Sequence, residues 1–357
     1  MSGSGRSRAA IAALVVVSGL ASLGALELVV RLTGLGVHAY MDEVQMYGLM
    51  LVPDEEGRYL RHPAGASVVL QGVTLRFNSL GMRDDEPRIP KPPGTFRVLC
   101  LGDSVTLGPA VPQEQIYPAR LRGLLGPGVD VVAAAVAGWN TVAEERFLAR
   151  HIETLQPDLV VLLYVTNDNE PTEPFRRLRR PATRWSTRLY RALVTRSRLF
   201  EWAAFVAARA HMTEPDADGI RRFAAWKRKL AQAGEPFTGR DRGWLQSRAA
   251  LGRMRSLCRE HGARFVIFMQ NQRNRPGEQR PLARLREFSA ATGVPVFDTW
   301  SFIAGHAPVS LMNDGFRDPH WNAEGHALYA AGIARTLRAE GLVPSRAARP
   351  AATGASP

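Results

Sequence analysis

Short apolar runs, each ended by glycine or a polar residue, recur through the middle of the chain. Val98–Leu101 is unbroken and stops at Gly102; Asp130–Val136 stops before Gly138-Trp139-Asn140; Leu159–Val165 stops at Thr166-Asn167-Asp168. Runs of this length without polar alternation predict strands buried on both faces. Between them, Tyr117–Leu125 and Val142–Leu155 carry apolar residues at helical spacing, and Pro157 is a stop signal just past the second. After residue 240 the rhythm resumes. A helix is expected over Trp244–His261, a strand over Ala263–Gln270, a helix over Pro281–Thr292 and a strand over Val294–Thr299. A last helix, Ala323–Glu340, follows Asn322, a favoured N-cap residue. Strand–helix repetition with short joints is the βαβ pattern of an α/β fold with a parallel sheet. Each strand ends at the same rim, where such sheets bind ligands.

The N-terminal pattern is different. Arg6 and Arg8 precede Ala9–Val30, which is apolar except for Glu27 near its far end, and Arg31 closes it. Twenty-two residues at helical rise span roughly 30 Å, the thickness of a bilayer core. The run is longer than a usual signal-peptide core, which favours an uncleaved anchor. A cleaved leader, with Ser22 and Gly24 as a weak small-x-small site, is the alternative. Positive charge at the start puts the N-terminus in the cytoplasm and everything after residue 32 outside it. Residues 33–96 are a prelude punctuated by glycine and proline: Ser67–Phe77 partly alternates as a hairpin would, Asn78–Arg83 reads as a turn and an extended arm, and Pro87, Pro90, Pro92 and Pro93 stiffen a linker. The expected organisation is a stub and anchor (1–32), a small β-rich prelude (33–96), a main domain (97–343) and a disordered tail (344–357).

Composition narrows the classes. At 357 residues with 45% hydrophobic content, the chain is globular rather than disordered throughout. Its net charge of +13 is localised, because residues 170–259 hold 21 Lys and Arg against 8 Asp and Glu. Within this stretch, residues 170–240 interrupt the βαβ order as an Arg- and Trp-rich insertion with an apolar piece at Leu199–Ala210. One reading is a helical pair with solvated arginines; the other is a lid on an anionic surface of phospholipid headgroups or acidic polysaccharide. No nucleic-acid motif accompanies the charge, so nucleic acid is not an expected partner. Cys100, in a buried strand, and Cys258, in a helix, read as two buried thiols rather than a disulfide.

Four rim positions carry candidate chemistry: Ser104, Gly138, Asn167 and the Asp318/His320 pair. Ser104 is either a loop hydroxyl capping the next helix or a nucleophile. Acyl transfer through a serine needs a base, a carboxylate to hold that base in the right tautomer, and donors aimed at the developing oxyanion. His320 suits the base, Asp318 the carboxylate, and the backbone N–H groups of Ser104 and Gly138 with the Asn167 side chain suit the oxyanion hole. A metal site on His320, His326 and Asp318 is disfavoured because their spacing matches no recurring ligand pattern. Thr106 stands where an α/β-hydrolase elbow needs glycine. Gly102–Gly108 lacks the Lys and hydroxyl residue of a P-loop.

The ordered blocks Gly102-Asp103-Ser104, Gly138, Asn167-Asp168 and a late Asp-x-His resemble the SGNH/GDSL hydrolase superfamily over roughly residues 95–340. The resemblance implies a three-layer α/β/α sandwich around a flavodoxin-like parallel sheet of about five strands. It also implies Ser104, His320 and Asp318 as a triad, with Ser104, Gly138 and Asn167 as the oxyanion hole, and no cofactor or metal. Two positions depart from the pattern. Arg317 stands where the acid is common, leaving Asp318 or the spare Asp314, and Val165 stands where glycine usually precedes the asparagine. The expected function is a membrane-anchored serine esterase acting on acyl esters, O-acetyl groups among them, of glycans, lipids or small molecules at the cell envelope. An O-acyltransferase of an envelope polysaccharide using the same triad, and a non-catalytic envelope-binding module, are the alternatives.

Overall fold

The computed structural model describes residues 3–33, 47–48, 50–169, 189, 193, 197–200, 202–203, 242–270, 279–313 and 320–344. Most of the 170–240 insertion, the Asp314–Asp318 loop and the tail beyond residue 344 lie outside them. The chain divides into two compact units, one of residues 1–50 and 182–222, the other of 51–181 and 223–357.

The first unit contains helix α1 (Gly3–Thr33), of which Ala10–Thr33 is long and apolar enough to cross a membrane. A signal sequence near an N-terminus meets the same criterion. Leu14, Val15, Leu20 and Leu23 are all more than half exposed, while Val30 near its end is buried. Glu27, the one charge between Ala10 and Val30, is well provided with donors. It accepts from Arg31 Nε at 2.7 Å, Ser197 Oγ at 2.8 Å, and the backbone N–H groups of Arg198 and Leu199 at 2.9 and 2.8 Å. A carboxylate on an otherwise apolar helix is costly unless paired in this way.

The second unit opens with two small antiparallel pairs. Strands β1 (Val52–Pro53) and β2 (Leu60–Arg61) form one; β3 (Ser67–Leu70) and β4 (Val73–Arg76) form the hairpin expected from the alternation of Ser67–Phe77. The main sheet then follows: β5 (Phe96–Gly102), α2 (Ser104–Leu107), α3 (Tyr117–Leu125), β6 (Val129–Ala135), α4 (Thr141–Leu155), β7 (Leu159–Tyr164), α5 (Arg242–Glu260), β8 (Arg264–Met269), α6 (Gln279–Thr292), β9 (Val296–Asp298) and α7 (Ala323–Ala339). Its order is β6-β5-β7-β8-β9 with every pairing parallel. The first strand of the sheet therefore lies second, as in flavodoxin-like doubly wound folds. Alternation sends Val98, Cys100, Val161, Leu163, Val266 and Phe268 into one core with Tyr117 and Leu121 of α3 and with Tyr329, Ile333 and Leu337 of α7. Leu99, Leu101 and Val160 are equally buried and face the other layer, where α4 and α5 pair. The two faces give the α/β/α sandwich, and both cysteines are buried free thiols.

Two charged anchors fix the sheet. Arg97, fully buried at the start of β5, donates to Asp130 Oδ2 at 2.9 Å and to the carbonyls of Leu155 and Arg88 at 2.7 and 2.8 Å. At the outer edge of β6, Asp84 accepts from Ala133 N at 2.8 Å and from Arg122 at 2.6 Å, while Arg122 also donates to the carbonyl of Val131 at 2.6 Å. The prelude, through Asp84, and α3, through Arg122, thus both supply groups to the edge strand.

Removing one partner of a buried, hydrogen-bonded ion pair typically costs about 3–5 kcal/mol. Arg97→Met is therefore expected to lower the unfolding free energy by roughly 3 kcal/mol, read as a lower denaturant midpoint at unchanged slope. A midpoint equal to wild type would remove Arg97 as an anchor.

Candidate active site

Strand β5 delivers its last residue, Gly102, against the turn that follows. A Cβ there would lie 2.1 Å from Thr106 Oγ1, so only glycine lets α2 start this close to the strand. Asp103 then caps α2: its Oδ1 accepts from Val105 N at 2.9 Å. Ser104 is the first residue of α2 and is partly exposed, and its hydroxyl donates to Asp103 Oδ2 at 3.4 Å. That distance is long for an O–H···O bond, leaving the hydroxyl weakly held. The far end of α2 is secured as firmly as the start. Gly108 adopts φ 63°, and a Cβ on it would overlap Ile116 and the His326 ring. The Arg83 guanidinium donates to the carbonyls of Leu107 at 2.6 Å and of Gly108 and Val111. Leu107 is the last residue of α2, whose carbonyl a helix end leaves without an internal partner, and the other two belong to the turn that follows it.

Gly138, with φ 81°, turns the chain after β6. A side chain would be strained in that conformation. Asn167, in the 3₁₀ turn Thr166–Asn169 after β7, sends Nδ2 to Asp103 Oδ2 at 2.9 Å and to the Trp139 carbonyl at 3.1 Å. Both partners are acceptors, so the amide orientation is determined by them. One –NH₂ group thereby ties together the segments that leave β5, β6 and β7. Burial raises the Asp103 carboxyl above its usual range; donation from Val105 and Asn167 and the charge of His320 act in the opposite direction.

His320 is buried and its backbone is pinned. Asn313 N donates to its carbonyl at 3.0 Å, Met312 bridges Trp321, and Asn322 N donates to the Leu311 carbonyl at 2.7 Å. Asn322 is the N-cap of α7 as expected, accepting from Glu324 N and Gly325 N. The electrostatic influence of His320 reaches both Asp103 and His326. His326 itself belongs to the core: Nδ1 accepts from Tyr117 N at 3.1 Å, its ring stacks parallel to Tyr117, and burial pushes its pKa down to about 3. The structure thus brings Ser104 and Asn167 into direct contact with Asp103, puts His320 within electrostatic reach of it, and joins the Gly138 turn to them through Trp139. Asp318, Asp314 and Arg317 lie outside the described residues. No group of three or more His, Cys, Asp or Glu among the described residues forms a metal cluster.

Three buried neighbours of these residues carry no role of their own in the sequence reading: Arg83 stands there only in a turn and an extended arm, Asp103 only in a motif, and Glu144 is not singled out. Glu144 is fully buried beside Asp168; desolvation, then the charges of Asp168 and Asp103, raise its carboxyl well above the ordinary range, while desolvation and the charge of Asp103 raise that of Asp168, which contact with Glu144 lowers. A groove of about 690 Å³ lies elsewhere, lined by Phe77, Asp84, Ile116 and Arg122 among others, and includes neither Ser104 nor His320.

A model of the GDSL-like lipase/acylhydrolase family matches residues 100–328, from β5 into α7. No curated protein matches the chain. Among solved structures the chain is similar to the psychrotrophic esterase EstA from Pseudoalteromonas sp., at 13% identity over 69% of this chain and 99% of that one, TM-score 0.41. It is similar to Est24, a carbohydrate acetylesterase from Sinorhizobium meliloti, at 13% identity over 69% and 100%, TM-score 0.40. It is also similar to the M. smegmatis aryl esterase, at 14% identity over 69% and 99%, TM-score 0.40.

The raised Glu144 pKa carries a sign for stability. Unfolded, a glutamate ionises at about pH 4.3; folded, Glu144 keeps its proton well above that. Between the two values the native state binds the extra proton, so stability falls as pH rises. Glu144→Gln lacks this titration. Its unfolding free energy is expected to gain on wild type by up to about 1.4 kcal/mol per pH unit above pH 4, measured by urea unfolding from pH 5 to 8. Parallel pH curves for the two proteins would contradict the raised value.

Proposed function

Because the chain belongs to the GDSL-like lipase/acylhydrolase family, it is a serine hydrolase acting on esters, and we propose that Ser104 is its nucleophile, His320 its general base and Asp318 the acid that orients His320. The observation that carries this reading is the Asp103 carboxylate, met by the Ser104 hydroxyl and the Asn167 amide and lying within the field of His320. In the proposed cycle His320 accepts the Ser104 proton as Oγ bonds to the ester carbonyl carbon. The negative oxygen is received by the N–H groups of Ser104 and Gly138 and by Asn167 Nδ2. The Asn167 hydrogen now given to Trp139 is the less tightly held of the two, at 3.1 Å against 2.9 Å, and is the one an oxyanion draws on. His320 then returns the proton to the leaving alcohol, and the acyl-Ser104 ester is cleaved by water activated in the same way. The product is a carboxylic acid, with Ser104 restored.

The setting we propose is the cell envelope, with α1 as an uncleaved single-pass anchor, the hydrolase domain (97–343) outside the cytoplasm, and the prelude (33–96) between them. The length of Ala10–Thr33 and the leading arginines support it. The proposed substrates are acyl esters, including O-acetyl groups, on envelope glycans. The basic excess of residues 170–259 favours an anionic surface as the setting.

Ser104→Ala and His320→Ala are each expected to lower turnover of a short-chain nitrophenyl ester by about 10³-fold or more, and Ser104→Ala to abolish labelling by a fluorophosphonate. Full labelling of the alanine variant would give the nucleophile to another residue. Of Asp318→Ala and Asp314→Ala, the first is expected to lose more; the reverse order would make Asp314 the acid. Asn167→Ala is expected to reduce kcat by about 10²–10³, equivalent to roughly 3–4 kcal/mol of barrier, with little change in KM. Product analysis with a glycan acceptor separates hydrolysis from acyl transfer: free acid at full rate without acceptor is the expected result.

A further inference from the structure

Behind the Asn167 turn lies a buried polar cluster that the catalytic cycle does not use. Glu144, in the first turn of α4, is 0% exposed, and among the described residues neither of its carboxyl oxygens receives a donor. Its neighbour Asp168, one residue past Asn167, accepts from Val165 N at 2.6 Å through Oδ2 and from Thr141 Oγ1 at 2.8 Å through Oδ1. The Thr141 hydroxyl lies 2.9 Å from Ser247 Oγ, Ser247 Oγ lies 3.0 Å from the Tyr164 hydroxyl, and that hydroxyl donates to Asn169 Oδ1 at 2.8 Å.

Donors distinguish the two carboxyls. The Tyr164 hydroxyl donates to Asn169 Oδ1, while Asp168 receives the Val165 N–H on one oxygen and the Thr141 hydroxyl on the other. A negative charge is therefore better held on Asp168. An ionised Glu144 would instead be a buried anion with no N–H or hydroxyl donor, the costlier arrangement.

We propose that Glu144 is a positioning residue of this hydrolase, holding a proton that it donates to Asp168 so that the neutral acid and the carboxylate together lock the Thr166–Asn169 turn and aim Asn167 at the reacting ester. The argument rests on the reading of Asn167 as an oxyanion donor. Burial and the nearby carboxylates of Asp168 and Asp103 favour the neutral form of Glu144, in agreement with that geometry. Losing the proton would set two negative groups against each other beside Asp103, which itself holds Asn167 at 2.9 Å. The strain would fall on the oxyanion donor rather than on the nucleophile.

The test uses the full chain and compares wild type, Glu144→Gln, Glu144→Ala and Asn167→Ala. Gln supplies an uncharged donor in the same place, so its kcat is expected within about threefold of wild type, whereas Ala lowers kcat about tenfold or more at nearly unchanged KM, the mark of a transition-state contact. A folded Ala variant with wild-type kcat, or a Gln variant as impaired as Ala, overturns the positioning role. Infrared spectroscopy in D₂O at neutral pH reads the proton independently of catalysis. The carbonyl band of a protonated carboxylic acid, above the amide band, is expected in wild type and weakened in Glu144→Gln. An unchanged band in the Gln variant, or none in wild type, overturns the proton assignment even if Glu144→Ala does not fold. Should Asn167→Ala keep full activity, the oxyanion reading fails and the positioning role with it, while the infrared band still reports where the proton sits.

Discussion

A single amide group holds this site together. The Asn167 –NH₂ spans a carboxylate that follows β5 and a carbonyl that follows β6, while its own backbone follows β7. The constraint behind it is the burial of Asp103. A carboxylate almost wholly removed from water is tolerable only if donors surround it. Here they are the Val105 N–H, the Ser104 hydroxyl and the Asn167 amide, drawn from separate segments. Satisfying Asp103 therefore brings these segments together. The parallel sheet makes this possible, since its strands end side by side and their registers set where each loop begins.

The N-terminal prelude belongs to the same physical system. Arg83 and Asp84 are adjacent in sequence and act in different places: one on the carbonyls that end the serine helix, the other on the edge strand of the sheet. Both side chains are sheltered from solvent and committed to main-chain groups. The arm from Asn78 to Arg83 is thus a splint for α2, which is too short to hold its own conformation without support at both ends.

The elements legible in the sequence are those whose residues obey one period. Tyr117–Leu125 is a helix over the expected residues, and the apolar run Val98–Leu101 is the centre of Phe96–Gly102. Strand Val294–Thr299 shortens to Val296–Asp298, because an outer strand pairs on one side only and Asp298 turns to cap the following 3₁₀ turn. The rim residues Ser104, Gly138 and Asn167 were legible because each lies two or three residues past the end of a strand. The supporting charges were not. Arg83, Arg97 and Glu144 look like surface residues in any composition or periodicity argument, and their burial depends on partners distant along the chain. Glu144 even stands where a helix favours a solvated acid. His320 is legible as a base by chemistry, but its contact with the field of Asp103 arises only when α7 packs on α3.

The outer margin of β6 has a wider meaning. A strand there would ordinarily offer main-chain groups to any extended segment that drifted past, whether from a second copy or from a partly unfolded neighbour. With Asp84 seated on the Ala133 N–H and Arg122 on the Val131 carbonyl, the middle of the seam is closed by the molecule's own chain. At high local concentration, that side of the protein resists the strand-by-strand addition from which fibres and domain swaps begin. Self-association there would need another kind of surface.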